Sequence, residues 1–355
     1  MMPMVRLLHA RPIDTPARVV QRTSMFVILT LLSVVAASVP MLAFLVTVWW
    51  LDHNDREPVW LFALVFLWGA LGATSLSLYG NQLLSLPLVA LFGESAAEPL
   101  TAILVAPLVE EPTKALVLAP LLLTRHFDNA TDGFVYGAAA GLGFGMTENA
   151  LYFISAATSG DLLGWLTLVV IRTFFSAVMH AVATSLVGAC VGAARFRPAG
   201  VRLLALGCGF AMAMGLHALW NGLATARALT GDEAIGRLGY AMIPGAVVLV
   251  FVVFQFSLWQ ERAIVGRVLA EEEREGHLPS GHAAILGSFW GRRRAGWLAE
   301  GVPLGPYVRA ACTLALRRHA SRVAPASLRA FYQDDAERLR REVTALLRLA
   351  TTRTR

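Results

Sequence analysis

The chain has 355 residues, 56% of them hydrophobic and 15% charged, with a formal net charge of +6. A soluble domain carries about 25% charged residues, so one large soluble core is excluded, and recurring apolar runs of about twenty residues read as membrane-spanning helices. The positive charge is uneven: Arg6, Arg11, Arg18 and Arg22 stand against Asp14 near the start, and most other arginines, including Arg292, Arg293 and Arg294, follow residue 261. Beside membrane spans this reads as positive-inside bias and attraction to anionic lipid, not as nucleic-acid binding.

In chain order, a basic arm (residues 1–24) leads into apolar runs at 25–50, 59–80, 99–123, 134–157, 163–194, 201–228 and 238–260. A shorter run, LLSLPLVALFG (83–93), lies between the second and third. The first run is too long for a signal-peptide core and no small-residue cleavage site follows it. The expectation is an all-α, polytopic membrane protein. Residues 25–93 form the N-terminal spans, 94–260 a membrane core, and 261–355 a basic tail.

The arginines of the arm, of ARFRPAGVR (194–202) and of the tail belong in the cytoplasm, and the acidic connectors DHNDRE (52–57) and GD (160–161) outside. Eight passages reconcile these placements if residues 81–98 hold a short or re-entrant one, with both termini cytoplasmic in a multi-pass cell-membrane protein. Within the tail, Leu328, Phe331, Leu339, Val343, Leu346 and Leu347 recur at helical spacing after Pro325. Cys190, Cys208 and Cys312 are scattered and indicate neither a disulfide framework nor a thiolate metal site.

An ionisable side chain inside a span costs at least about 2.5 kcal/mol and tends to face the bundle interior with a partner. In this chain such residues cluster: Glu110, Glu111 and Lys114 in LVEEPTKALVL, Glu148 with Asn149, Arg172 and His180, and His217 with Asn221. All fall on four consecutive long runs, and the first two spans hold nothing comparable. Glu110 and Lys114, His180 and Thr184, and His217 and Asn221 are each four residues apart and so share a helix face. Lys114 is the only lysine. The glycine- and alanine-rich stretch 133–149 suits close helix packing and is not a nucleotide loop, because no strand precedes it.

EEPTK (110–114), FGMTEN (144–149), RTFFSAVMHAVAT (172–184) and HALWN (217–221) fit EExxK, FxxxEN, an arginine followed by HAxxT, and HxxxN. In that order the chain resembles the PrsW family of intramembrane proteases, itself similar to the CAAX prenyl proteases and bacteriocin-immunity membrane proteins. The resemblance covers roughly residues 95–260 and implies peptide-bond hydrolysis at or within the membrane, on a membrane-anchored protein substrate. Carried over by position, it makes Glu110 the principal catalytic carboxylate, with Glu111 beside it. Glu148 and His180 complete a water-activating or metal-binding group, and His217 with Asn221 holds the oxyanion. Pro112 departs from a helix-friendly EExxK.

Two chemistries stay open on the residues. In one, Glu110 is a general base, with Lys114, Arg172 and Asn149 in support. In the other, Glu148, His180 and His217 hold zinc or another divalent metal. The metal-free version is slightly preferred. A proton-coupled transporter and a non-catalytic scaffold or immunity factor are the alternative functions. Substrate identity and oligomeric state are not readable.

Overall fold

The apolar runs fold as long helices. The computed structural model describes residues 16–52, 54–159, 161–293, 298 and 301–353, with side chains described between Ser24 and Leu349. The side chains of the basic arm, and Arg294, lie outside that range. We label the helices α1 (Pro16–Leu51), α2 (Val59–Phe92), α3 (94–115), α4 (Leu118–Leu121), α5 (Ala130–Ala157) and α6 (Leu162–Ala193). They continue as α7 (Ala199–Thr230), α8 (Glu233–Arg274), α9 (His282–Leu286), α10 (Leu304–Val323) and α11 (Ala326–Arg353).

By length and composition α1 (from Ser24), α2, α6, α7 and α8 are each able to cross a membrane. The pattern is inside out relative to a soluble protein. Leu31, Val39 and Val46 of α1, Leu203 and Leu204 of α7, and Val248, Leu249 and Val252 of α8 are exposed, whereas Glu111, Lys114 and Asn149 are 0% exposed. Such a belt faces acyl chains, and the polar groups face each other.

Among the described residues, no separate short helix marks the additional passage expected over residues 81–98. Residues 81–92 continue α2, which runs 34 residues or about 50 Å, before the chain turns at Gly93 (φ 76°) into α3. Seven rods then alternate in direction, which puts the start of α1 and the tail at opposite ends of the bundle. DHNDRE also lies at the tail's end, not across from it. Asn54 accepts from Arg292 Nη2 at 2.8 Å, Thr313 donates to Asp55 at 2.6 Å, and Arg317 pairs with Asp55 and Asp128. Asn54 and Asp55 of the connector are thus met by the tail, and Glu57 accepts from Tyr136 of α5 at 2.6 Å, so these groups face protein and not solvent outside.

Glycines set the depth of the packing around α5. A Cβ on Gly141 would stand 2.3 Å from the carbonyl oxygen of His180, and one on Gly143 would stand 2.0 Å from that of Phe66. So α5 touches α6 and α2 backbone to backbone, as small residues allow in membranes. Asn129 and Asp132 form a capping box at the start of α5. The bundle core includes Phe66, Phe127, Tyr136, Met179 and Leu258. The tail has its own core of Val265, Leu269, Tyr307, Leu314, Leu339 and Val343. Leu339 and Val343 of α11 pack inward as their spacing predicts, while Leu328 and Phe331 are exposed.

Candidate active site

Three helices widen into π-helical turns around one cavity: α2 at Trp68–Ala73, α3 at Thr101–Val105 and α6 at Arg172–Ser176. Such turns leave backbone carbonyls without their usual helical donor, and side chains supply one. Thr147 Oγ1 donates to the carbonyl of Ala70 at 2.7 Å, and Asn221 Nδ2 donates to that of Ala102 at 2.8 Å. Pro112 sits inside α3, and the carbonyl of neighbouring Thr113 accepts from Trp68 Nε1 at 3.1 Å. The proline in EExxK is therefore accommodated within a helix braced by α2.

Lys114 is the hub. Its ammonium is fully buried, 2.8 Å from Glu111 Oε1 and 2.8 Å from His180 Nδ1, with the Phe144 ring 4.0 Å away. Glu110 Oε2 is farther, at 3.6 Å. Glu111 has both oxygens engaged: Oε1 also meets His217 Nδ1 at 2.8 Å, and Oε2 accepts from Thr184 at 3.2 Å. The lysine thus neutralises Glu111 first, and the i,i+4 pairing with Glu110 expected from spacing is the weaker contact.

Glu110 differs. Its Oε1 accepts one hydrogen bond, from Asn81 Nδ2 of α2 at 3.0 Å, and its buried Oε2 has no hydrogen-bond partner. His217 Nε2 faces that oxygen at 3.9 Å. Glu148 Oε2 lies 2.7 Å from His180 Nε2 and 2.8 Å from Arg172 Nη2, and Arg172 Nε donates to Asn149 at 3.1 Å. The rings of His180 and His217 meet edge to face with centroids 4.9 Å apart.

Glu110, Glu111, Lys114, Glu148, Asn149, Arg172, His180 and His217 thus share one polar network. Asn221 lines the same cavity, but its amide is engaged on α3. Ligand atoms of Glu110, His180 and His217 lie within 4.8 Å of one another, the spread expected around one cation. The trio differs from the sequence expectation in having Glu110 where Glu148 was placed, because Arg172 and His180 already hold Glu148. A second such group, Glu272, Glu275 and His277 in the tail, is neutralised by Arg318 and Arg340.

Sequence reasoning missed the contribution of α2. Asn81, Thr74 and Ser77 all line the cavity, and Ser77 shares a 2.6 Å hydrogen bond with Thr113. A search for ionisable residues passes over neutral amides and hydroxyls, so α2 looked empty. The cavity itself holds about 1030 Å³. It runs from Glu110 and His217 past Tyr152 to Glu94, Glu98 and Arg227, at the end of the bundle away from the tail.

The family described as PrsW family intramembrane metalloprotease matches residues 57–258, more than half of the chain. Protease PrsW of Clostridioides difficile (strain 630) is 33% identical over 115 residues, 31% of this chain and 47% of that protein. The chain thus spans about half the length of the curated relative it matches. No solved structure matches. The matched stretch runs from the connector before α2 to the middle of α8 and contains every residue of the network, and on that ground the chain belongs to the PrsW family of intramembrane proteases.

Proposed function

We propose that this chain is an intramembrane endopeptidase that hydrolyses a peptide bond of a membrane-anchored protein, at the inner end of the cavity. One observation carries the reading: Glu110, His180 and His217 converge inside a membrane bundle, at the base of a space of about 1030 Å³. Two histidines and a glutamate with an open position form a catalytic zinc set. The donor chemistry fits, since Glu110 Oε2 is a buried acceptor with no partner and His217 presents Nε2 to it. We therefore assign Glu110, His180 and His217 as ligands of a divalent cation, which reverses the preference for metal-free chemistry. When bound, such an ion supplies Lewis-acid polarisation of a carbonyl or of water.

The chain's own residues do the rest. His217 donates from Nδ1 to Glu111, which fixes its tautomer and leaves the Nε2 lone pair directed at Glu110. Lys114 offsets the charge of Glu111 and donates to His180 Nδ1, so His180 Nε2 carries the proton it shares with Glu148 and becomes free to ligate only once that proton has left by way of Glu148. Glu148 has the most exposed carboxylate of the three, with 22% of its side chain accessible, against 8% for Glu110 and 0% for Glu111. We assign it the proton taken from the attacking water and returned to the leaving amine. Arg172 keeps that carboxylate paired and in place, and Asn221 holds α3. The arginines of residues 194–202 and of the tail put the tail's end of the bundle in the cytoplasm.

The test is cleavage of membrane-anchored substrates by the purified protein, comparing wild type, Glu110→Gln and His217→Ala, with chelator and with zinc restored. Cleavage lost in both variants and suspended by chelator is the expected result. No cleavage by wild type refutes the protease reading, full activity in both variants refutes the roles given to Glu110 and His217, and activity indifferent to chelator refutes the ligand assignment.

A further inference from the structure

We propose that Asn81 of α2 is a positioning residue for this site: its amide sets the orientation of the Glu110 carboxylate, and through it the geometry of the donor set. The inference rests on the proposed function and adds a residue outside the four motifs that define the site.

Asn81 Nδ2 donates to Glu110 Oε1 at 3.0 Å, and this is the hydrogen bond that the Glu110 side chain makes among the described residues. The other polar neighbours of Glu110, Lys114 at 3.6 Å and His217 at 3.9 Å, are both on the other oxygen and both beyond hydrogen-bond reach. A carboxylate held only by charge at such distances rotates about its last torsion, whose energy is broad. One directional donor on Oε1 stops that rotation and leaves Oε2 turned to His217. Glu111 is fixed by three donors from three helices, so Glu110 depends on Asn81 as Glu111 does not on any single partner.

The placement of Asn81 has a cost that packing alone does not explain. Its Oδ1 is buried without a partner, which costs about 1–3 kcal/mol. A leucine of similar size would avoid that cost in an apolar helix. The residue is itself held: one turn earlier Ser77 is bonded to Thr113, and Trp68 donates to the carbonyl of Thr113. The two bonds lock α2 to α3 in the register that sets Asn81 opposite Glu110.

The test compares wild type, Asn81→Leu and Asn81→Gln as purified full-length protein. Three quantities are read: zinc affinity by competition with a fluorescent chelator, kcat and KM on a membrane-anchored substrate, and thermal stability. Outer-shell partners of metal ligands typically contribute about ten- to a hundredfold in affinity or activity. Asn81→Leu should lose zinc affinity and kcat in that range with KM changed less than about twofold and stability retained, and Asn81→Gln, which keeps the donor, should recover much of both. Wild-type zinc affinity and kcat in Asn81→Leu overturn the inference, as does a loss explained by unfolding that Asn81→Gln shares. If wild type cleaves or binds zinc and Asn81→Leu matches it, this inference alone falls. If wild type does neither, the reading beneath it falls as well.

Discussion

His217 Nδ1 and Lys114 Nζ each lie 2.8 Å from the same oxygen of Glu111. The two adjacent glutamates of EEPTK are therefore unequal: Glu111 is held by three donors, and Glu110 by one.

That inequality predicts opposite failures. Glu111→Gln removes the nearer counter-charge of a fully buried ammonium and leaves only Glu110 at 3.6 Å, and breaking a buried pair typically costs about 3–5 kcal/mol. The variant should melt well below wild type in detergent, and Lys114→Met should recover part of the loss. Glu110→Gln should melt close to wild type while cleaving nothing. Equal melting of the two single variants contradicts the division of roles.

Gly141 is a second point of leverage. Its missing Cβ would meet the His180 carbonyl at 2.3 Å, so Gly141→Ala must push α6 outward or bend it. Overpacking of this kind costs about 1–3 kcal/mol, and the displaced residue is a proposed ligand. Reduced stability and reduced turnover should appear together. Gly215→Ala on α7, with nothing within 4 Å, is the control and should leave both unchanged.

Arg317 joins tail to bundle. It is 4% exposed and reaches Asp55 and Asp128, with Asp335 at 3.5 Å. Arg317→Met leaves three buried carboxylates facing each other, and the tail should detach while the bundle stays folded. Hydrogen exchange across α10 and α11 reads this directly: protection should fall there and persist in α5 and α6. Unchanged exchange in α10 would show that its apolar core suffices.

The same joint should respond to pH. Burial raises the Asp52 and Glu57 carboxyls well above the ordinary range, and raises Asp55 against the pull of Arg317. Groups with raised values stabilise the docked state below the ordinary carboxylate range near 4, and that contribution is lost as pH rises through the raised values. His126 acts oppositely: burial, then Arg317 and Arg125, lower it to about 4, so it weakens docking only as pH falls below about 6.5. Asp128, Asp132, Glu261 and Asp335 complete the acidic lining. The protection of α10, exchange taken relative to the intrinsic amide rate at each pH, should therefore fall as pH rises above the ordinary carboxylate range, and Asp52→Asn should flatten that slope. A flat profile in wild type refutes the coupling.

The polar network was legible because ionisable groups in apolar runs are costly enough to stand out one by one. Lys114 was legible as a partner, yet both Glu110 and Glu111 are within one helical turn of it, and only the positions of α6 and α7 decide which it prefers. Asn81 was not legible, being a neutral amide near the end of an apolar run. The number of passages was not legible at α2, whose apolar run extends past a bilayer's thickness; charge parity asked for an additional short passage, and residues 81–92 continue one long helix. The tail's docking was invisible for another reason. Asp55 belongs to a connector read as lying outside, Asp128 carries no motif, and Arg317 lies 262 and 189 residues away from them.

The tail and the connector 52–57 seal one end of the bundle, and no residue of either lines the cavity. The cavity lining instead reaches Glu94, Glu98 and Arg227 at the opposite end. On the proposed function, a substrate segment therefore reaches Glu110 from the side away from the tail, and the tail has no part in admitting it.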